Sequence, residues 1–172
     1  MRWHLSWRAD PRGRAIADRH YNRQNIGATQ FVPPGRPLVL LTRDARALWV
    51  SHWPITEFVK HDWAGAWMCT TFRNEARELY LSSELVREAV AATLARWGKA
   101  PDLGMVTFVD PERTHRKRDP GRCFRKAGFR EVGRTKEQNL VVLQMLPGEM
   151  PRPELPVGSR LEFDFVRGRV EP

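Results

Sequence analysis

The stretch Phe124-Arg125-Lys126-Ala127-Gly128-Phe129-Arg130-Glu131-Val132-Gly133 decides how the rest of the chain is read. Its first half ends a short basic helix predicted over 120–127. Gly128 supplies the positive φ of a helix stop, and Phe129 turns into the core. The residues beyond it, 130–136 and 140–146, read as a closing pair of strands. Upstream, 103–109 is a nearly continuous apolar run that ends at Asp110-Pro111, the pattern of a strand buried on both faces. Before that run, 82–97 carries Leu85, Val86, Ala89, Val90, Thr93, Leu94 and Trp97 at helical spacing. A serine at 82 or 83 is expected to cap this helix, Glu84 suits its positive end, and Gly98 stops it.

The first half is less regular. A helix is expected over 10–21, with Pro11 at its first position. A Gly-, Pro- and amide-rich loop follows over 22–37, and loops of that length inside a domain are usually functional or disordered. Two β-rich runs, 38–41 and 48–51, read as a hairpin, and 66–72 as a further strand. A loop holding Lys60, His61 and Asp62 separates them. The tail beyond Pro147 is Pro-rich and offers 161–165 as an extra strand. The succession predicts an α+β fold in a single domain, with a body over 1–147 and a C-terminal extension over 148–172.

With 172 residues, 41% hydrophobic and 28% charged, the chain has enough apolar material for a core and is too apolar for disorder. No run reaches the roughly 18 apolar residues of a membrane span, and the first residues lack the apolar core of a secretory signal. Two cysteines, Cys69 and Cys123, exclude a disulfide scaffold and a four-cysteine zinc site, and the histidines show no ligand spacing. No metal site is expected, and the expected compartment is the cytoplasm. The net charge of +9 is segregated: residues 1–36 carry seven basic and two acidic groups, and 111–136 carry ten and three. Clustered cations of this kind favour a nucleic-acid partner, because they displace counterions from phosphates. Arg113, Arg116, Lys117, Arg118, Arg122, Arg125 and Lys126 are the candidate phosphate contacts.

The quoted stretch resembles the C-terminal signature of the GNAT N-acetyltransferases, and the element order over about 80 residues agrees with that family. The resemblance implies a mixed, mostly antiparallel central sheet flanked by helices. It departs where GNAT enzymes hold the pyrophosphate of acetyl-CoA, in a Gln/Arg-x-x-Gly-x-Gly/Ala loop before the central helix. Here residues 73–83 hold no glycine and two acidic groups, Glu75 and Glu78. Acetyl-CoA is therefore not the favoured donor.

A GNAT-like chain without that loop is similar to the Mom family of phage DNA-modification proteins. That resemblance implies a transferase that places a carbamoylmethyl or acyl-type group on the N6 amine of adenine and so protects phage DNA from restriction, in the host cytoplasm if phage-encoded. It implies His20, Tyr21, Asp110 and Ser83 as the reacting centre, and DNA as partner. An aminoacyl-tRNA fits the same features as donor, so tRNA stands beside DNA as a partner. The alternative is a GNAT acyltransferase that uses acyl-CoA on a small-molecule or protein amine. Oligomeric state is open, a dimer included.

Each candidate has a plainer account. His20 serves equally as a surface histidine, Asp110-Pro111 as a turn, and Ser83 as a helix cap. Glu75, Arg77 and Glu78 read first as a salt-bridged loop. Trp49, Trp53, Trp63 and Trp67 read first as packing, although one of them could stack a flipped base. Cys123 reads as a packed cysteine.

Overall fold

The computed structural model describes residues 1–54, 62–114 and 119–159. A seven-stranded sheet has the order β1-β2-β3-β4-β5-β7-β6. The strands are β1 (Trp3–Ser6), β2 (Arg36–Thr42), β3 (Ala47–Trp53), β4 (Trp67–Asn74), β5 (Met105–Val109), β6 (Arg130–Arg134) and β7 (Val141–Met145). All neighbours are antiparallel except β4 and β5, which are parallel because α2 (Ser82–Trp97) crosses between them. The other described α-helices are α1 (Pro11–Ala17) and α3 (Arg122–Ala127). The expected mixed, mostly antiparallel sheet is present, and no helix among the described residues is long and apolar enough to cross a membrane.

Strand parity divides the core. Leu38, Leu40 and Trp49 pack with Leu85, Val86, Ala89 and Phe124, on the face covered by α2 and α3. Their alternates Val39, Leu41, Leu48 and Val50 pack with Ile16, Ala17 and Phe31, on the face covered by α1. Successive strand residues point to opposite faces, so two apolar runs serve both layers. Gly13 permits the second layer to close, since a Cβ there would lie 2.7 Å from the Phe31 ring.

Several sequence expectations need correction. The first helix ends at Ala17 and not near Tyr21. The Asp18 carboxylate accepts from Arg23 Nε at 2.8 Å and from the Gly27 amide at 3.1 Å, which draws the chain back on itself. His20 and Tyr21 therefore sit in a turn. Helix α2 has the expected bounds and its Gly98 stop at φ 80°, but no serine caps it. Leu81 occupies the cap position, and Ser82 and Ser83 lie inside the first turn, too far along to cap its free amides. The quoted stretch behaves as read: Gly128 closes α3 at φ 111°, and Phe129 is buried. Beyond β7 the chain returns to the open edge of β1, where the Val157 amide donates to Trp3 and the Leu5 amide to Val157, both at 2.9 Å. The expected strand at 161–165 lies outside the described residues.

Gly104 leads into β5 at φ +60°, and a Cβ there would meet the Met145 carbonyl oxygen at 2.0 Å. Backbone strain and overpacking together put the cost of Gly104→Ala at about 2–4 kcal/mol. For a chain of this size that is a fall of roughly 5–15 °C in thermal midpoint. Gly65→Ala also has positive φ (+97°) but meets nothing within 4 Å, so its loss should be smaller. Equal midpoints in thermal denaturation would contradict this account of the β5 entry.

Candidate active site

The site starts from one extra residue. In the β3–β4 ladder Val50 pairs with Thr71 and Ser51 with Cys69, so Thr70 bulges out. The parallel β4–β5 ladder ends at the same point, its last pair being Cys69 and Thr107, and Thr107 Oγ1 donates to the Cys69 carbonyl at 3.1 Å. Beyond it β4 continues to Asn74 on β3 and β5 to Val109 on β7 without pairing to each other, so the two strands separate. The opening is a cleft of about 870 Å³, lined by both strand ends, the His20–Tyr21 turn, the start of α2 and one side of α3.

The bulge leaves the Thr70 carbonyl to accept from Asn22 Nδ2 at 2.7 Å. That bond fixes the carboxamide with its oxygen toward His20, where Oδ1 meets the imidazole Nδ1. Nδ1 is thereby the donor and Nε2 carries the lone pair. The Asn22 amide also approaches Nδ1 at 3.3 Å, a longer contact than that to the carboxamide oxygen, which decides the tautomer. The His20 and Tyr21 rings stack with centroids 4.5 Å apart.

Burial raises the Tyr21 pKa above its ordinary value, against the lowering effect of the Asp110 backbone amide bonded to it. The phenol stays protonated at neutral pH and is able to donate. Asp110 itself is occupied as a turn former. Its Oδ1 accepts from the Glu112 and Arg113 amides at 2.9 and 3.0 Å, and Arg113 Nε lies 3.5 Å from Oδ2. Arg113 also donates to the Tyr21 carbonyl at 2.7 Å. The structure thus brings His20, Tyr21 and Asp110 together, with Asp110 acting through its backbone and through Arg113.

Asn74 shapes the opposite rim. It is buried, its Oδ1 accepts from the Ala76 amide at 2.9 Å, and its Nδ2 donates to the Tyr80 carbonyl at 2.9 Å and to Ser82 Oγ at 3.0 Å. No residue from 73 to 83 has positive φ. The segment therefore has no left-handed nest of amides, and Glu75 and Glu78, which line the same cleft, are paired with Arg19 and Arg73 and with Arg46, respectively. Ser83 lines the cleft at the start of α2.

Glu75 ties the His20 turn to β4. Its carboxylate accepts from Arg19 Nε and Nη2 at 2.9 and 2.6 Å and from Arg73 Nε at 2.6 Å. Arg73 in turn donates to the Arg19 carbonyl at 2.6 Å. The Arg19 hydrogen bonds, helped by Arg73 and opposed by burial, hold the Glu75 pKa down at about 2.

The predicted cations separate. Arg122 and Lys126, one turn apart on α3, are exposed, line the cleft and have no acidic partner among the described residues. Arg77 faces them from the other rim in the same condition. Arg125, by contrast, is spent on Asp119 at 2.6 Å and Glu131 at 2.7 Å. Arg113 is engaged as above. His115, Arg116, Lys117 and Arg118 lie outside the described residues, as do Lys60 and His61. Trp49 and Trp67 are fully buried core residues, Trp53 packs against Trp67, and Trp63 packs against Phe108. Burial pushes the Cys69 thiol up, so it is no nucleophile. Among the described residues no group of three His, Cys, Asp or Glu is placed to hold a metal ion.

Asn22, Thr70 and Asn74 escaped the sequence reading. The Asn22 signal was a carboxamide two residues after a histidine, and that of Asn74 an asparagine at a strand end, where it closes its own turn. Comparison of the chain with protein-family models, with curated proteins and with solved structures gave no match in any of the three.

The Glu75 clamp has a testable pH signature. A lowered folded-state pKa gives stability that is present above the ordinary value of 4.5 and is lost as pH falls toward 2. Glu75→Gln should therefore lower the thermal midpoint at neutral pH, and the gap from wild type should close below pH 4.5. A gap independent of pH in thermal scans would remove the clamp.

Proposed function

We propose that this chain is a Mom-like transferase, built on a GNAT-like sheet, that places an acyl-type group on the N6 amine of adenine in DNA. The observation that carries the reading is what meets in the cleft. A histidine with an oriented lone pair and a protonated tyrosine arrive from the α1 face, and the unpaired cations Arg122 and Lys126 arrive from the α3 face. The first pair suits attack by an amine on a carbonyl. The second suits a phosphate backbone passing the mouth.

The adenine amine is a weak nucleophile because its lone pair is delocalised into the ring. As it attacks the carbonyl carbon of the donor, its proton passes to His20 Nε2, and Asn22 Oδ1 steadies the imidazolium through Nδ1–H. The carbonyl oxygen becomes an oxyanion, to which Tyr21 O–H donates. When the tetrahedral species collapses, the bond to the leaving group breaks and His20 returns the proton to it. The strand order β4-β5-β7-β6 with one parallel pair supports the GNAT-like reading. The loop without glycine or positive φ supports a donor other than acetyl-CoA, and an aminoacyl-tRNA offers an activated carbonyl on a carrier the cations would also attract.

Mass spectrometry of nucleosides from DNA of cells expressing the protein tests this. A mass-shifted deoxyadenosine is expected with wild type, and a loss of about 10²–10⁴ in rate with His20→Ala. Asn22→Ala should lower the yield while leaving DNA affinity unchanged. Unmodified DNA in cells that hold the folded protein would overturn the reading. Saturable heat from acetyl-CoA below about 1 mM in calorimetry would favour the acyl-CoA alternative.

DNA affinity offers a separate check. Removing two phosphate contacts with Arg122→Ala/Lys126→Ala should reduce the slope of log affinity against log salt by about 2. An unchanged slope would take α3 out of the DNA surface.

A further inference from the structure

The turn that joins β4 to α2, over 75–81, carries two leucines out into solvent. Leu79 and Leu81 are each 61% exposed, while Tyr80 between them packs against the core under α2. The backbone holds this alternation in place. The Ala76 amide donates to Asn74 Oδ1, and the Leu79 and Tyr80 amides donate to the Ala76 carbonyl at 3.0 and 2.8 Å. At the other end the Tyr80 carbonyl accepts from Asn74 Nδ2, and the Leu81 carbonyl accepts from the Glu84 and Leu85 amides at 3.0 and 3.1 Å. The turn is bonded at both ends around a packed tyrosine, so the outward direction of both leucines is fixed.

The same turn is a rim of the cleft. Leu81 lines the opening, and among the described residues it is the one exposed large apolar side chain that does. Arg77, in the same turn, has no acidic partner among the described residues, and Arg122 and Lys126 face it from α3. The rim's carboxylates are neutralised, Glu78 by Arg46 at 2.5 Å and Glu75 by Arg19 and Arg73. Apolar side chains thus stand between free cations. That charge suits a polyanion, and a phosphate backbone drawn to the rim would lay its base stack against the leucines. An apolar side chain pushed between two base steps unstacks them.

We propose that Leu79 and Leu81 are a wedge that opens the duplex, entering the stack where the target base leaves it for the cleft lined by His20. The proposal rests on the proposed function and supplies a step it needs, since an amine inside a stacked duplex is out of reach of His20. A wedge has to be stiff and has to stand beside the space the base enters. The bonded turn meets the first condition, and the place of Leu81 on the cleft lining meets the second.

The test measures binding of the full chain to two short duplexes by fluorescence anisotropy. One holds a single 2-aminopurine–thymine pair at its centre, and the other the same 2-aminopurine opposite an abasic site, where the base already lacks a partner. Leu79→Ala/Leu81→Ala should weaken binding of the paired duplex about tenfold, roughly 1.4 kcal/mol. It should also abolish the rise in 2-aminopurine fluorescence that unstacking produces with wild type. Affinity for the abasic-site duplex should stay within about twofold of wild type. Leu79→Met/Leu81→Met, which keeps apolar side chains of similar length, should retain both wild-type readings. An equal loss on both duplexes, or no loss on either, overturns the wedge and leaves DNA binding standing. So does a wild type that binds the paired duplex without raising its fluorescence. If wild type binds neither duplex, the DNA reading itself fails and the wedge falls with it.

Discussion

The bulge at Thr70 is the constraint on which the rest of the site depends. A regular β4 would keep its pairing with β3 in register and extend its ladder with β5. The two strands would then close the sheet where the cleft now opens. One extra residue changes two things together. It ends the parallel ladder at Cys69 and Thr107, and it presents a carbonyl for Asn22. The histidine tautomer, and hence the direction of its lone pair, follows from a backbone irregularity one strand away.

A bulge positions groups only if what rests on it is stiff. Here ionic contacts supply that stiffness on the α1 side, where a seven-residue helix has little packing of its own. Asp10, fully buried, caps α1 and collects Ser6 and Arg12, while Asp18 gathers Arg23 and Gly27, and Glu75 joins Arg19 to Arg73. The carboxylates sit on short segments whose backbone turns sharply, where apolar packing cannot specify direction. Each bond also spans few residues or joins neighbouring elements, which limits the entropy lost in making it. The α2 side relies on apolar packing, with Trp3, Leu85 and Phe124 in one layer, and its buried polar groups are few and neutral, as where Trp3 Nε1 donates to the Leu85 carbonyl and Ser51 Oγ meets Thr93 Oγ1.

These two regimes explain what the sequence discloses. Helix α2, the Gly128 stop and the β2–β3 hairpin are written in periodicity and glycine placement, which are local properties, and they stand where they were expected. The length of α1 is not local. Ala15 to Tyr21 has no helix breaker, and the chain leaves the helix because Asp18 finds partners in a loop up to nine residues away. The serine at the head of α2 misleads for a related reason. Propensity marks a serine near a helix start, whereas the register that makes Leu81 the cap is set by Asn74 on β4. His20, Tyr21 and Asp110, named from the chain, do come together, whereas the contacts of Asn22 and Thr70 exist only across the β4 bulge and no local pattern fixes them.

Charge, read by position and not by total, gives the last step. The excess that first pointed to nucleic acid lies in two blocks of sequence, yet most of the described arginines in those blocks hold the protein together. Arg12, Arg19, Arg23 and Arg125 are paired with carboxylates, and Arg113 ties the β5 turn to Tyr21. Within those blocks Arg122 and Lys126 are what remains at the cleft, and Arg77 joins them from the opposite rim. On the proposed reading, a small set of free cations at a mouth suits a polyanion better than a uniform basic surface, because it would hold the backbone along one line and leave the rest of the strand free to move.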